Sequence, residues 1–502
     1  MYLNSLVPNG TTLVILSLLI LLCYIYINII HSYWKRRGIP YEKPYLLTGS
    51  LWNVFSGKRQ IGKHFGDLYR KFDGPYFGIY ICGKPYLVIR SPDIVKDITV
   101  RDFSNFEDRT FACDKNADDM TGNSLFILRN PEWRNVRMKL TNIFTSGKIK
   151  QMFPLMLQTA DDLQHYVEKH DNEIVDVKDL AGKYMTDLVA KCFFGIDSCS
   201  FVEKPVTHFR KVCIDILDVN IFRSFCMFCY LFLPKLVSLL KLKLLDTHYL
   251  RKVFMETLLF REKTGFHRND FVDLLINIRN TFANTEESTF DTTSMVSQAI
   301  TFFIAGFETT SNLVEFTLYE LSMHPECQDM LRREIFEVFP DETTPLTFDN
   351  VHQLKYLNMV IAETLRRYPF GPFLNRNCKK DYVISQTGFK IEKGTPVLVS
   401  LDGIHYDPTY YKNPEKFDPE RFRAGYKHLL SACTYLPFGM GPRSCIGDRF
   451  AQVCARVGII CILKRFTVEK CHLTPDPLVL NPRSPFMQPV NGLQLKIRKL
   501  CY

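Results

Sequence analysis

The feature that most constrains this chain is a glycine-rich loop around one cysteine near its C-terminal end. The loop contains Phe438, Gly441, Arg443, Cys445 and Gly447 at short, ordered spacings. Each position has a physical task if the sulfur ligates the iron of a haem. The glycines let the backbone lie flat against the ring and turn sharply beneath it, and Arg443 can neutralise a haem propionate. A helix is expected to begin near Gly447, so that its free N–H groups favour an anionic sulfur.

This loop makes the chain resemble a cytochrome P-450, and the resemblance covers almost the whole chain. The segments 32–40 and 102–106 are typical of insect microsomal members of the clan 3 type, which oxidise plant toxins, insecticides and other xenobiotics. The resemblance implies a mainly α fold with small β-sheets, an N-terminal transmembrane anchor, and haem b (iron protoporphyrin IX) as cofactor. The alternative for Cys445 is an ordinary buried cysteine, and the length and order of the motif argue against it.

Length and composition indicate one large body. The chain has 502 residues, 46% of them hydrophobic, which is enough to bury a large core. It shows no low-complexity linker and no repeat, so we expect a single catalytic domain over residues 46–502. The net charge of +10 suggests contact with an anionic membrane or an acidic partner, and no nucleic-acid motif accompanies it. Sixteen cysteines without a repeating spacing indicate a cytosolic redox environment.

The N-terminal end predicts a membrane anchor, residues 1–31, followed by a basic, proline-rich linker, residues 32–45. Residues 11–30 carry no charge, and a segment of that length spans a bilayer core of about 30 Å. A cleaved signal peptide is the alternative, but bulky residues continue to the end of the segment. Three basic residues at 35–37 place the body on the cytosolic face, by resemblance that of the endoplasmic reticulum. Trp34 suits the membrane interface.

A second apolar stretch covers residues 221–240. Arg223, Pro234 and Lys235 interrupt it, which argues against a second span. We expect a pair of short helices that dip into one leaflet, with an ordinary core helix as the alternative. The expected membrane contacts are Phe225, Phe228, Tyr230 and Phe232.

Hydrophobic periodicity predicts mainly helices between residues 131 and 339, including a long helix at about 292–323. A β-hairpin is expected at 76–90, and short strands return between 382 and 399. A final helix is predicted at about 447–464.

A haem carries two carboxylates, which cannot be buried without partners. Trp133 and Arg137 are four residues apart and share one face of a helix. By resemblance this pair binds a propionate together with Arg376 and Arg443; a helix surface with an ordinary cation–π contact is the alternative. Relatives often have a basic residue just before the Leu-Phe pair at 125–126, where this chain has asparagine and serine. Another side chain or a water is expected to fill that role.

Glu363 and Arg366 lie three residues apart on a predicted helix that ends at Pro369, so their side chains lie together. By resemblance they form a structural network with Arg421 that holds the sulfur loop. A solvated surface ion pair is the alternative.

The long helix contains an acid–alcohol pair, Glu308 and Thr309, close to Ala305 and Gly306. Thr309 can donate a hydrogen bond to the carbonyl one turn earlier, which opens the helix to water. We expect Gly306 to leave room for dioxygen, Thr309 to hold a protonating water and Glu308 to link it to bulk solvent. The alternative is an exposed Glu308 beside threonines that only pack. Haem-thiolate isomerases generally do not need this pair, so the chain resembles a monooxygenase.

The resemblance implies insertion of one oxygen atom of dioxygen into lipophilic small molecules, with electrons from NADPH. The sequence contains no flavin or nicotinamide segment. The implied partner is therefore NADPH–cytochrome P-450 reductase, with cytochrome b5 as an optional second donor. Basic residues on the sulfur side are expected to dock the acidic reductase, and the candidates are Arg134, Lys139 and Lys148.

By resemblance, an apolar and aromatic pocket accepts the substrate. The predicted lining residues are Phe111, Phe126, Phe302, Phe303, Ala305, Phe370, Phe373 and Phe486. Any of them can instead belong to the core. Two alternatives to xenobiotic oxidation stay open: a biosynthetic oxidase of one endogenous lipid, hormone or volatile, and a non-catalytic haem protein that binds a ligand.

Overall fold

The computed structural model describes residues 10–202, 205–217, 220–282, 290–341, 344–425 and 427–500. The first nine residues of the predicted anchor lie outside the described residues. The fold is mainly helical with small sheets, which confirms the predicted fold class.

The described residues form helices along the whole chain. In order, the α-helices are α1 (Gly10–His31), α2 (Tyr33–Arg36), α3 (Trp52–Phe55), α4 (Ile61–Lys71), α5 (Pro92–Lys96), α6 (Asp119–Gly122), α7 (Glu132–Thr141), α8 (Ser146–Lys169), α9 (Val177–Val189), α10 (His208–Leu217), α11 (Ile221–Phe232), α12 (Pro234–Leu240), α13 (His248–Thr264), α14 (Phe271–Phe282), α15 (Thr292–Met323), α16 (Pro325–Val338), α17 (Phe348–Val351), α18 (Lys355–Arg367), α19 (Leu401–His405), α20 (Lys427–Ser431) and α21 (Asp448–Leu463). Short 3₁₀ turns lie at Phe103–Asn105, Asn142–Phe144, Pro419–Phe422 and Gly441–Arg443, and π-helical turns at Asp97–Arg101 and Ala190–Phe194.

Nine strands of the described residues form three small sheets. The strands are β1 (Tyr76–Ile81), β2 (Lys84–Ile89), β3 (Ile174–Asp176), β4 (Phe373–Asn377), β5 (Tyr382–Val383), β6 (Lys390–Ile391), β7 (Pro396–Ser400), β8 (Phe466–Lys470) and β9 (Gln494–Lys499). The sheet orders are β1-β2-β7-β4, β3-β9-β8 and β5-β6. Strands β2 and β7 run parallel, and the other pairs are antiparallel. The predicted hairpin is confirmed as β1–β2.

Helix α15 runs through the largest apolar core and matches the predicted long helix. Asp291 caps its start by accepting a hydrogen bond from the Ser294 N–H, which satisfies one of the free donors of the first turn. Most of its residues are buried, because α9, α18 and α21 pack around it. The helix therefore fixes the positions of the polar residues at its centre.

Helix α1 is long and apolar enough to cross a membrane. The interface assignment for Trp34 is wrong, because its indole is fully buried in the body of the protein. The Trp34 Nε1–H donates to the Ile79 carbonyl at 3.1 Å, and the ring lies against Gly78, where a Cβ atom would be 2.4 Å from it. The linker also contains the short helix α2. The residues that follow the apolar segment thus belong partly to the core of the β-sheet.

The stretch 221–240 forms the predicted pair of helices, α11 and α12. Two of the four expected membrane contacts are wrong, because Tyr230 and Phe232 are buried. Tyr230 donates to the Leu242 carbonyl at 2.9 Å, and Phe232 packs between the rings of Tyr86 and Phe373. One face of α11 thus belongs to the core, and Phe225 lies on the exposed face.

Candidate active site

A backbone hydrogen bond closes the Cys445 loop, and a helix begins directly after it. The Cys445 N–H donates to the Phe438 carbonyl at 2.8 Å, and Gly447 is the N-cap residue of α21. Gly441 adopts a φ of +73°, and a Cβ atom there would lie 1.9 Å from the Thr99 carbonyl oxygen. Glycine is therefore required at 441 by a close approach of two backbone segments, which the sequence-based explanation did not foresee.

The sulfur of Cys445 has an environment that opposes a bare thiolate. Burial raises the pKa of the Cys445 thiol to about 11, although the Gly447 N–H and the charges of Arg137 and Arg109 act in the opposite direction. Its surface is nonetheless accessible. A metal cation that replaces the thiol proton would compensate the cost of this thiolate.

A group of arginines surrounds this sulfur. Arg137 donates to the Ser444 carbonyl at 3.0 Å. Arg443 donates to the Glu107 carbonyl at 2.8 Å and to the Leu128 carbonyl at 2.9 Å. Arg376, on β4, bonds to the Asn375 carbonyl at 2.8 Å. The sequence-predicted cations are thus brought together by the loop, α7 and the sheet.

Asp108 approaches Arg443 at 3.4 Å, whereas Arg137 and Arg376 have no ion pair among the described residues. Burial and the charge of Arg376 lower the pKa of Arg443 to about 9, and burial lowers that of Arg376 to about 10. In the part of the chain that the structure describes, Arg443 Nη1 and Arg376 Nε have no hydrogen-bond partner although both are buried. Buried guanidinium groups of this kind require anions. Two propionates beside a metal-bound thiolate fit this donor set.

Arg109 is a fourth cation that the sequence reasoning missed. Its guanidinium acts electrostatically on Arg376, Arg443 and Cys445, and it lies 3.9 Å from the centre of the Phe126 ring. Burial lowers its pKa well below the ordinary value. Because residues 123–124 are not basic, the sequence indicated that another residue fills this role. Lys115 and Arg129 were equally suitable candidates in the sequence. Only the fold selects Arg109.

Trp133 is paired differently from the expectation. Its ring contacts Arg443, whose guanidinium carbon lies 4.0 Å from the ring centre. Trp133 is buried on the inner side of α7, so it supports the cation of the sulfur loop directly.

The predicted network of Glu363, Arg366 and Arg421 is present and buried. Arg366 makes two hydrogen bonds to Glu363, at 2.7 and 2.9 Å, and neither side chain is exposed. Arg421 approaches Glu363 at 3.4 Å. Arg366 also donates to the His405 and Pro414 carbonyls, both at 2.7 Å. The network therefore holds irregular backbone between residues 405 and 421.

His405 connects this network to the sulfur loop, and sequence reasoning missed it. Its Nε2 accepts a hydrogen bond from the Leu436 N–H at 2.8 Å, so Nδ1 carries the proton and donates to the Arg366 carbonyl at 3.0 Å. Burial lowers the pKa of His405 to about 3, so the ring is neutral. No spacing in the sequence signals this contact, because its two partners lie far from it along the chain.

The acid–alcohol pair lies in the middle of α15. The Thr309 hydroxyl donates to the Ala305 carbonyl at 2.6 Å, as the sequence suggested. Ala305 is exposed and Thr309 half-buried on a helix that is otherwise largely buried, so this face borders an internal cleft. Two expectations are wrong. Gly306 faces Val189 and Phe193 of the neighbouring helical segment, and Glu308 is buried against Gln488 and does not reach bulk solvent.

The predicted pocket residues fall into two groups. Phe126 is exposed, and Phe370 and Phe486 are half-buried and stacked with ring centres 4.2 Å apart. Phe111 is buried behind Phe126 at 5.6 Å. Ala305 is exposed. Four predicted pocket residues belong to core clusters, which corrects their assignment to the pocket: Phe111, Phe302, Phe303 and Phe373.

For one of the three basic residues expected to dock the reductase, the prediction is wrong. Lys139 is buried, with its ammonium 4.5 Å from the centre of the Phe282 ring. Arg134 is exposed on the same helix, and Lys148 is half-buried at the start of α8.

A cysteine beneath buried cations, a structural ion-pair network and an acid–alcohol pair on a central helix define a haem-thiolate oxidoreductase. A sequence model described as cytochrome P-450 matches residues 39–497. Similar proteins include cytochrome P-450 6k1 of Blattella germanica, 38% identical over 97% of each chain. Cytochrome P-450 6a2 of Drosophila melanogaster is 35% identical over 96% of this chain and 97% of its own. The chain belongs to the cytochrome P-450 family and is a monooxygenase, similar to insect members.

Proposed function

We propose that this chain oxidises lipophilic xenobiotics, such as plant toxins or insecticides, with electrons from NADPH delivered by a membrane-bound reductase. The observation that carries the proposal is Cys445 beside four arginines that lack sufficient anions. Haem b, when bound, supplies the activation of dioxygen and the transfer of one oxygen atom to the substrate. Cys445, whose thiol has a pKa of about 11, would exchange its proton for the iron, and the arginines would pair with the propionates.

We assign the haem contacts to specific side chains. Cys445 would ligate the iron, and Arg109, Arg137, Arg376 and Arg443 would hold the propionates. Trp133, Phe438 and Gly447 complete the loop side. The Glu363–Arg366–Arg421 network and His405 keep the loop in place through the bonds at Arg366 and Leu436.

We assign the delivery of protons to residues of α15. The Thr309 hydroxyl donates its hydrogen bond to the Ala305 carbonyl. Its oxygen can therefore accept a hydrogen bond from a water in the cleft. Glu308 is the nearest acid on the helix, and burial raises its pKa. We therefore assign water positioning to Thr309 and proton donation to Glu308.

The aromatic lining supports a lipophilic substrate class. Phe126, Phe370 and Phe486 present partly open rings, whereas other predicted lining rings belong to the core. Stacked, adaptable aromatic surface favours apolar molecules of different shapes over one polar ligand.

The membrane side supports a location in the endoplasmic reticulum with the body in the cytosol. Exposed apolar side chains lie on the segment 46–55 and on α11 and α12: Leu46, Leu47, Trp52, Phe55, Ile221, Phe222, Phe225, Leu239 and Leu240. The rings of Phe55 and Phe228 are 4.7 Å apart and join these segments into one patch. Such a patch, together with α1, is suited to a lipid surface. An acidic surface of the reductase, or of cytochrome b5, would dock against the positive charges of Arg134 and Lys148.

The test uses the full chain with haem and reductase in lipid vesicles. A carbon monoxide difference spectrum of the reduced protein is expected to show the thiolate-ligated band, and a band of histidine-ligated haem would contradict the site. A panel of unrelated lipophiles should then give many weakly oxidised products. One strongly preferred compound would favour a biosynthetic oxidase. A protein that neither consumes NADPH nor forms any product would be better explained as a ligand-binding protein.

A further inference from the structure

A stripe of polar side chains runs along one buried face of α15. Glu308, Asn312 and Glu315 are spaced by four and three residues, so they share this face. Gln488 donates a hydrogen bond to Glu308, and the Asn312 amide donates to the Met487 carbonyl at 3.2 Å. The first two members of the stripe are therefore bonded to the same extended segment.

Glu315, the third member, differs from the other two. Its side chain is 0% exposed, and among the residues that the structure describes neither of its carboxyl oxygens has a hydrogen-bond partner. Burial raises the pKa of Glu315 well above its ordinary value, so the group is a neutral acid. A buried polar group without a protein partner calls for an ordered water, an ion or a functional role.

Three charged or acidic groups act on this carboxyl. Lys178 and Asp176, at the start of α9, act on it electrostatically, and so does Glu308, two turns away on the same helix. Asp176 accepts a hydrogen bond from the Lys178 N–H at 2.9 Å, and both residues are half-buried at the protein surface. Arg210, on α10, acts on Glu308. Glu315 thus interacts electrostatically both with the partly exposed pair Asp176 and Lys178 and with the buried Glu308.

We propose that Glu315 is a proton store that resupplies Glu308. The O–H bond of the Glu315 acid breaks, a chain of ordered waters along the stripe passes the proton by Asn312 over the roughly 10 Å between the two residues, and an O–H bond forms on the Glu308 carboxylate. The Glu315 carboxylate is stabilised by Lys178 until it regains a proton from solvent water at the Asp176 end. This answers how a buried Glu308 is reprotonated in each cycle. The inference rests on the proposed monooxygenase function, which consumes those protons.

Two substitutions separate proton storage from packing. Glu315→Gln keeps the shape and the hydrogen-bonding capacity but has no acidic proton, and Glu315→Leu removes the polar group. Glu320→Gln is the matched control, because Glu320 is a buried acid of the same helix that is bonded to Tyr368 and Arg367 on the opposite side. All variants are compared as full-length, haem-loaded protein with reductase in vesicles.

The first measurement does not depend on turnover. The infrared difference spectrum between the wild type and Glu315→Gln, recorded in ordinary and heavy water, should contain the protonated-carboxyl stretch of one acid, because the variant keeps the stretch of Glu308 and loses that of Glu315. An unchanged stretch in Glu315→Gln would show that Glu315 is not the neutral acid and would overturn the proposal.

The second measurement is the fate of the electrons. Glu315→Gln and Glu315→Leu should lower product formation about 10-fold, raise the share of NADPH that ends in hydrogen peroxide, and enlarge the solvent isotope effect. Glu320→Gln should leave these ratios as in the wild type. If both Glu315 variants keep wild-type ratios, and Glu315→Leu is merely more heat-stable, the carboxyl is a packing defect and the proposal is wrong. A wild type that consumes no NADPH at all contradicts the proposed function itself, and the relay with it.

Discussion

The Cys445 loop and helix α15 form the two halves of the candidate site, and they are built by opposite means. The loop is irregular backbone held by side chains from distant segments: Arg137 bonds to Ser444, and His405 to Leu436. Helix α15 makes its own backbone hydrogen bonds and is fixed by apolar neighbours. The loop should therefore be sensitive to changes far from it in sequence, and α15 to changes in its few polar groups.

The largest effect is expected on the loop side, at the sulfur. Cys445→Ser should give protein without the thiolate-type carbon monoxide band and without detectable oxygenation, because serine does not supply a soft thiolate to iron. Cys461→Ser, on the following helix, is the control and should keep both. A Cys445→Ser protein with the wild-type spectrum would remove this sulfur from the site.

The next effect tests whether distant ion pairs hold the loop. Arg366→Leu removes both hydrogen bonds of Arg366 to buried Glu363 and leaves it only the longer contact with Arg421, and we expect a loss of about 3–5 kcal/mol in the free energy of unfolding, with loss of haem. Arg423→Leu removes an exposed pair of the same spacing, with Glu420, and should cost less than about 1 kcal/mol. Urea unfolding followed by haem absorbance measures both. Equal costs would contradict the role of the buried network in holding the loop.

A smaller effect is expected at the bridge between the network and the loop. His405→Leu leaves the Leu436 N–H and the Arg366 carbonyl without partners and should cost about 1–3 kcal/mol, and His405→Gln should recover part of it by accepting from Leu436. Unfolded histidine takes up a proton near pH 6.5, but folded His405 only near 3. The wild type should therefore lose stability as the pH falls from about 6.5 towards 3. A wild type and a Leu variant with the same pH slope would exclude His405 as the cause.

The mildest effect on the protein, although a specific one on the reaction, belongs to the α15 side. Thr309→Ala should leave folding nearly unchanged and divert electrons to hydrogen peroxide, with product formation lowered about 10-fold. Thr310→Val, at a buried neighbour, should keep the wild-type ratio of product to peroxide. Peroxide and NADPH assays run together give the ratio, and unchanged coupling in Thr309→Ala would remove Thr309 from the proton path.

The sequence predicted what depends on local pattern. The bounds of α15 follow from apolar periodicity and a capping aspartate, and the sulfur loop from a short ordered motif. Contacts between distant segments carry no such signal, so Arg109 and His405 were missed. The sequence also did not predict which way individual residues of α15 point. Gly306 faces α9 and Phe302 faces the core, because the sequence does not show which elements pack against each side of the helix.

The position of Trp34 sets how far the chain can be shortened. Its indole fills the space beside Gly78 in the sheet, only a few residues after the apolar helix ends. A truncated chain that starts at Ser32 keeps that indole and should fold without lipid. One that starts after Pro40 loses a fully buried aromatic ring, which in protein cores costs about 3–5 kcal/mol. If α1 spans a membrane as proposed, the same proximity would hold the body close to the bilayer and keep its patch of exposed apolar residues within reach of compounds dissolved in the lipid.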